Sequence, residues 1–124
     1  MKIKNIDHFV ILSANLEATL KFYGEILGLE IVQNGAKMAV KFGDSKINIH
    51  QKLAEFLPVA KNQTYGSADF CLIAQGDIDE IAREITSRGA VIELGPVERT
   101  GALGKMKSVY LYDPDGNLVE ISVY

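Results

Sequence analysis

The chain has few of the features that mark secreted, membrane-spanning or nucleic-acid-binding proteins. Among its 124 residues are one cysteine and no tryptophan. Because a single cysteine, Cys71, cannot form an intramolecular disulfide, a reducing compartment is expected. No apolar run is long enough for a signal peptide or a membrane span, so we expect a cytoplasmic protein with no membrane partner. The net charge of −3 argues against nucleic acid as a partner, since that requires a basic surface.

What the sequence has instead is an order of predicted elements that occurs twice. Each copy begins with an apolar strand, at 7–12 and again at 68–73. An amphipathic helix follows in both copies, and Gly28 and Gly89 end these helices. Shorter strands then complete each copy. They are predicted at 29–32, 37–42 and 46–51 in the first copy and at 90–94, 108–112 and 118–124 in the second, with a turn-rich loop at 95–104.

This order predicts an α+β fold of two βαβββ modules in a single domain that covers residues 1–124. Module 1 is predicted at about 3–51, a connector at 52–66 and module 2 at about 67–124. A sheet that is hydrophobic on one face must bury that face against a second layer. We therefore expect the two modules to form a curved mixed sheet around a cleft.

Four polar side chains interrupt the apolar strands of the two copies, namely His8, His50, Asp69 and Glu120. They fall at what look like equivalent strand positions, which predicts a site between the copies. Imidazole and carboxylate groups together suit Ni, Zn, Mn, Co or Fe, whereas Ca and Mg prefer oxygen ligands. Ordinary structural roles are the alternative: a histidine near a strand start is often a surface residue, Asp69 could cap a loop, and Glu120 could form an ion pair.

Three segments carry a resemblance to a known family, and the resemblance extends over nearly the whole chain. They are the opening 6–10, the first helix with its ending at 18–29, and the final turn and strand at 113–120. With these segments the chain resembles the vicinal oxygen chelate superfamily, which includes glyoxalase I, bleomycin-resistance proteins, fosfomycin-resistance thiol transferases and extradiol dioxygenases. The segments 46–50, 66–69 and 95–102 are similar to a narrower group of glyoxalase-domain, virulence-associated proteins.

The resemblance implies a divalent metal ion and a set of ligands for it. His8 matches the family's first-strand ligand and Glu120 its last-strand ligand. His50 stands where glyoxalase I usually has Glu, and Asp69 stands where it has His. Either Asp69 coordinates, or His8, His50 and Glu120 form a set of two histidines and one carboxylate. Glu120 is also the candidate catalytic residue, as a ligand or as a base that moves a proton.

The resemblance leaves three functions open for a small-molecule substrate. The first is a glyoxalase-like isomerisation of the lactoylglutathione lyase type, through a metal-stabilised enediolate. The second is extradiol ring cleavage with Fe(II), and the third is metal-free drug binding of the bleomycin-resistance type. Candidate substrate-binding residues are Asn48, Arg99, Lys105 and Tyr110. The loop 95–107 is either a lid over an anionic substrate or an ordinary solvated loop, and a homodimer is expected from the family.

Overall fold

The computed structural model describes residues 1–124, which form two compact units, residues 1–65 and 66–124. Unit 1 contains β1 (His8–Leu12), α1 (Leu16–Leu20), a π-helical segment (Lys21–Ile26), β2 (Glu30–Asn34), β3 (Lys37–Phe42) and β4 (Ser45–His50). Unit 2 contains β5 (Asp69–Ile73), α2 (Ile78–Ser87), β6 (Leu94–Gly101), β7 (Gly104–Tyr112) and β8 (Leu118–Val123). The predicted α+β fold of two βαβββ modules is therefore confirmed.

Each unit has one four-stranded mixed sheet with the same connectivity. The strand order is β1-β4-β3-β2 in unit 1 and β5-β8-β7-β6 in unit 2. The first strand of each unit runs parallel to the last, and all other pairs are antiparallel. Hairpins join antiparallel neighbours, whereas a parallel pair needs a longer crossover that usually includes a helix. The helical segment after each first strand begins that crossover.

The first helix begins where the sequence predicts and then widens. The side chain of Asn15 caps it by accepting from the backbone N–H of Ala18 at 3.1 Å. After Leu20 the helix continues in π-helical form, and its C-cap N–H, from Leu27, donates to the carbonyl of Phe22 at 3.0 Å. Gly28 ends the segment with a φ of 73°, a conformation that suits glycine.

The second helix begins with the predicted N-cap residue, Asp77. Asp77 accepts hydrogen bonds from the backbone N–H groups of Asp79 and Glu80, each at 3.0 Å. The helix contacts β6 and β7 and buries Ile78 and Ile85. The structure has no helix with the length and apolar character that crossing a membrane requires.

Both sheets have one closed face and one open face. In β4 the side chains of Ile47 and Ile49 are buried, at 0% and 1% exposure, whereas Asn48 between them is half-buried. The same alternation occurs in β8, where Val119 is buried and Glu120 is half-buried. Asn48 and Glu120 therefore lie on the more open face of their sheets.

The segment 90–104 differs from the sequence prediction. No strand forms at 90–93, and the expected loop is instead β6 followed by a tight turn into β7. The register of β6 shifts between Leu94 and Val97, next to the Gly95–Pro96 peptide. Glycine and proline in this segment led to the prediction of a loop. In the structure, the register shift that they accompany is confined to the start of β6.

The turn that follows β7 links three strands of unit 2. The Asp113 carboxylate accepts from the backbone N–H groups of Asp115 and Asn117, each at 2.9 Å, and from the Asn117 side-chain amide at 2.8 Å. The Asn117 amide oxygen accepts from the backbone N–H of Ala68 at 2.9 Å, just before β5. Because Asp113 and Asn117 are buried, these bonds stabilise the register of β8 beside β5.

Candidate functional site

His8 and Asp69 hold matching positions in the two units. Each is the first residue of its unit's first strand, β1 or β5. Asn48 of β4 lies two ladder positions beyond His8, just as Glu120 of β8 lies two positions beyond Asp69. Asn48 is therefore the counterpart of Glu120, and the two units place one neutral amide and one carboxylate at the same point of the module.

The sequence interpretation that placed His50 at the position equivalent to Glu120 is wrong. His50 lies opposite Leu12, four ladder steps beyond His8, and its counterpart in β8 is Ser122. Four steps separate the backbones of His8 and His50 by about 13 Å along the strands, compared with about 8 Å for a diagonal neighbour two steps away. A metal ion bonds imidazole nitrogen at about 2 Å, so the diagonal position of Asn48 is the one within easy reach of an ion on His8.

His8 is oriented by the carboxylate of its neighbour. Its Nδ1 lies 2.6 Å from Oδ1 of Asp7, which leaves Nε2 as the ring nitrogen open to a ligand. The hydrogen bond with His8 lowers the pKa of the Asp7 carboxyl, assisted by the charges of His8 and Lys46. Carboxylates in this position fix the tautomer and orientation of metal-binding histidines.

Glu120 lies at the end of a group of buried hydroxyls. The Ser122 hydroxyl donates to Oε1 of Glu120 at 3.2 Å, and its oxygen lies 2.6 Å from Oγ of Ser108. The thiol of Cys71 donates to the same Ser122 oxygen at 3.2 Å. One hydroxyl can make all three contacts because it has one hydrogen and two lone pairs. Since Ser108 and Ser122 have 0% exposure, this group restrains the carboxylate of Glu120.

The thiol of Cys71 is not set up as a nucleophile. Burial raises its pKa, and the charge of Glu120 raises it further, against the opposing effect of the hydrogen bond to Ser122. A thiol with a raised pKa is mostly protonated at neutral pH and reacts slowly. We therefore assign Cys71 no catalytic part.

Tyr110, a predicted substrate-binding residue, lies beside Glu120, and Arg99, another, contacts Tyr110. Tyr110 is directly opposite Glu120 in the β7–β8 ladder. Nε of Arg99 donates to the Tyr110 hydroxyl at 3.1 Å, and the guanidinium carbon is 5.5 Å from the ring centroid. Desolvation raises the pKa of the Tyr110 phenol, the hydrogen bond from Arg99 lowers it, and Glu120 raises it again. The phenol is thus a proton donor at neutral pH.

Lys105 and Asp69 are the other predicted site residues of unit 2. Lys105 follows the β6–β7 turn, where its Nζ is 3.3 Å from a carboxylate oxygen of Glu98. Asp69 is exposed at the start of β5, opposite Leu118. The structure contains no cluster of three or more His, Cys, Asp or Glu side chains arranged to hold a metal ion. The part of Asp69 in metal binding remains a prediction.

The open sheet face of unit 1 forms a cavity of about 330 Å³. It is lined by side chains of all four strands and by the connector at 56–58. Its polar lining residues are His8, Asn34, Lys37, Lys46, Asn48 and His50. Nδ1 of His50 is shielded from solvent and has no hydrogen-bond partner. His8, Asn48 and His50, which the sequence singled out, therefore face one common space.

Sequence reasoning missed four residues of these groups, Asp7, Lys37, Ser108 and Ser122. Asp7 could have been found as a carboxylate next to a candidate ligand. Ser108 and Ser122 could have been found as hydroxyl residues in the two strands of one predicted hairpin, because a buried hydroxyl needs a hydrogen-bond partner. No signal in the sequence pointed to Lys37, because its role depends on the register of β3 beside β4.

Residues 5–121 match the family model of the Glyoxalase/Bleomycin resistance protein/Dioxygenase superfamily. The chain is 47% identical to the virulence protein STM3117 of Salmonella typhimurium, over 100% of this chain and 87% of the relative. The crystal structure of that protein superposes with a TM-score of 0.95 at 46% identity, over 100% of this chain and 99% of the relative.

Two further proteins extend the likeness. The glyoxalase domain-containing protein RDO1 of Mycosarcoma maydis is 39% identical over 100% of this chain and 70% of its own length. Lactoylglutathione lyase from Agrobacterium tumefaciens has the same fold, with a TM-score of 0.75 at 24% identity over 98% of this chain and 95% of the lyase. By fold, module order and family match, this chain belongs to the Glyoxalase/Bleomycin resistance protein/Dioxygenase superfamily.

Proposed function

We propose that this protein is a divalent-metal-dependent enzyme that isomerises a small substrate with two adjacent oxygens, in a glyoxalase-like reaction. The observation that carries the proposal is the contact of 2.6 Å between Asp7 and Nδ1 of His8. It prepares the imidazole as a ligand through Nε2 at the first strand of the module. Membership of the superfamily supports the same reading.

The residues present fit a first-row divalent ion. We assign the imidazole of His8 and the carboxylate of Glu120 as its protein ligands. Asn48 and Asp69, at the two remaining matching positions, are the next candidates. A set of imidazole, carboxylate and amide oxygen suits Ni, Zn, Mn, Co or Fe. The assignment rests on the matching positions of these residues within their own units.

When bound, the ion supplies Lewis acidity that polarises the two substrate oxygens and acidifies the hydrogen on the carbon beside them. The chain's own residues would then move the proton. Glu120, restrained by Ser122, takes the hydrogen as a proton from one carbon and returns it to the neighbouring carbon, while the hydroxyl proton passes from the oxygen of the first carbon to that of the second. Tyr110 donates a hydrogen bond to a substrate oxygen, and Arg99 holds the phenol in place.

Metal analysis of protein purified without a metal-affinity tag tests the proposal. We expect bound metal in the wild type and its loss in His8→Ala and in Glu120→Gln, together with loss of isomerase activity on the methylglyoxal–glutathione adduct. His50→Ala is the matched control, because it removes an imidazole from the same sheet face and should leave the metal content unchanged. Unchanged metal in His8→Ala would sink the proposal, and tight drug binding without metal would favour the bleomycin-resistance type of function.

One observation favours a second candidate, extradiol ring cleavage. A ring-cleaving enzyme needs an acid–base group beside the ion, and Tyr110 lies directly opposite Glu120 with its hydroxyl bonded by Arg99. Oxygen uptake with catechols in the presence of Fe(II) is the distinguishing measurement. Tyr110→Phe should abolish that uptake but weaken the isomerisation only modestly, since isomerisation uses the phenol only as a hydrogen-bond donor.

A further inference from the structure

The unit 1 cavity has two lysine side chains in its lining although the whole chain has a net charge of −3. Its lining includes Lys37, Lys46, His8 and His50 and contains no aspartate or glutamate. The charge of Lys46 is partly balanced, because it acts on Asp7 and helps to lower the pKa of that carboxyl. Lys37 has no carboxylate beside it among the lining residues. A cavity of this composition attracts anions from solution.

Lys37, His50 and Phe56 form a cluster at one end of this cavity. Met38 pairs with Ile49, so Lys37 and His50 follow at the next position of the β3–β4 ladder. Phe56, from the connector, contacts both. Nζ of Lys37 is 5.4 Å from its ring centroid, and the His50 ring packs edge to face with a centroid distance of 5.2 Å. The aromatic ring therefore holds an ammonium group and an imidazole side by side.

The cluster also contains a polar atom that lacks a partner. Nδ1 of His50 is shielded from solvent and makes no hydrogen bond. A buried polar atom in this state costs free energy that a ligand can recover. The acidic residue nearest to Phe56 in the chain, Glu55, makes no bond to this atom, and its carboxylate accepts from the backbone N–H of Gln51 at 3.2 Å.

We propose that the cluster of Lys37, His50 and Phe56 binds a carboxylate at the end of the substrate remote from its two reacting oxygens. Lys37 supplies the charge, His50 a hydrogen bond, and Phe56 an apolar wall. The inference rests on the proposed function, since it places the reacting oxygens toward His8, about 13 Å away along the strands. A phosphate fits less well, because the cavity has no arginine fork, glycine-rich turn or helix N-terminus in its lining.

Two probes that differ only in charge test this assignment. Dihydrocaffeate is a catechol with a propanoate arm, and its primary amide is the neutral counterpart. Calorimetric titration should give about tenfold tighter binding of the acid by the wild type, the effect of one charge-assisted hydrogen bond. Lys37→Gln should abolish this preference. Lys41→Gln is the matched control, since Lys41 lies on the same face of β3 but outside the cavity lining, and it should keep the preference.

Three outcomes would each overturn the assignment. The wild type could bind acid and amide with equal affinity, it could bind neither detectably, or Lys37→Gln could keep the preference for the acid. Metal content measured on the same samples separates this outcome from failure of the proposed function. Lys37→Gln should retain the metal of the wild type. A wild type that prefers the acid but holds no metal would refute the metalloenzyme and leave the carboxylate site standing.

Discussion

At the scale of single residues, the two candidate ligands are restrained in different ways. His8 is exposed and relies on one contact with Asp7, whereas Glu120 is half-buried and bonded by a hydroxyl that is itself fully buried. His8 and Glu120 could be identified from the sequence, because both are polar residues in apolar strands. Asn48 could not be recognised as the counterpart of Glu120, because Asn48 and His50 lie two residues apart on the same face of β4, and only the ladder with β1 shows which of them is two positions beyond His8.

The contact between Asp7 and His8 gives a prediction about metal affinity. Asp7→Ala should weaken binding of Zn²⁺ by about 10- to 100-fold, because the imidazole loses the group that orients it. The pKa of Asp7 is lowered in the folded protein, so the contact persists at neutral pH and is lost only as the pH falls through that lowered value. Titration calorimetry measures the effect, and Asp44→Ala, at another exposed aspartate of unit 1, serves as the control. Equal affinities in the two variants would contradict it.

The thiol of Cys71 reports on the charge of Glu120. Because Glu120 raises the Cys71 pKa, Glu120→Gln should lower that pKa and speed alkylation by iodoacetamide at about pH 8. Ser122→Ala should slow alkylation, since the hydrogen bond from the thiol to Ser122 lowers the same pKa. Mass spectrometry measures the alkylation rate of Cys71 in each variant, and Glu55→Gln is the control. Identical rates in all variants would mean that Glu120 and Cys71 do not interact.

At the scale of elements, the parts with strong local signals are the ones that the sequence predicted well. The N-caps at Asn15 and Asp77 and the final turn each contain their own hydrogen-bonding side chains. The strand β6 was missed, because Gly95 and Pro96 at its start are typical of loops. The pairing of β6 with β7 overrides that local preference. The π-helical form of residues 21–26 has no counterpart in the apolar spacing, which fits an ordinary helix equally well.

The start of β6 gives a prediction about stability. Gly95 has a φ of 111°, and a Cβ there would clash with the backbone carbonyl of Ser108 in β7. Gly95→Ala should lower the free energy of unfolding by about 3 kcal/mol, combining backbone strain with the clash. Gly104→Ala is the matched control, since Gly104 has a φ of 126° with no atom near the added Cβ. Urea unfolding compares them, and equal losses would show that the clash is relieved without cost.

At the scale of the whole molecule, the chain consists of two units that have the same fold but different functional side chains. Unit 1 has the cationic cavity and the candidate ligand His8. Unit 2 has the carboxylate of Glu120 with Tyr110 and Arg99. The repeated element order made this division of the chain predictable, whereas the assignment of tasks to the two units needed the side-chain contacts.

This division gives a prediction about stabilisation by metal. Zn²⁺ or Ni²⁺ at about one hundred times its dissociation constant should raise the free energy of unfolding by about 2.7 kcal/mol. The rise in melting temperature should disappear in His8→Ala and equally in Glu120→Gln, although these residues belong to different units. Differential scanning fluorimetry with and without EDTA measures it. A rise that survives in either variant would mean that the replaced residue is not a ligand of the ion.

The unequal pair Asn48 and Glu120 has a consequence for the electrical balance of the proposed centre. Of the four matching positions, His8 and Asn48 are neutral as ligands, while Asp69 and Glu120 each bring one negative charge. Together they offset one divalent ion, so a filled centre of this composition would be electroneutral. Such a centre has no surplus attraction for a negatively charged reactant. The lysines of unit 1 would then attract the anion, and the residues of unit 2 would transfer the proton.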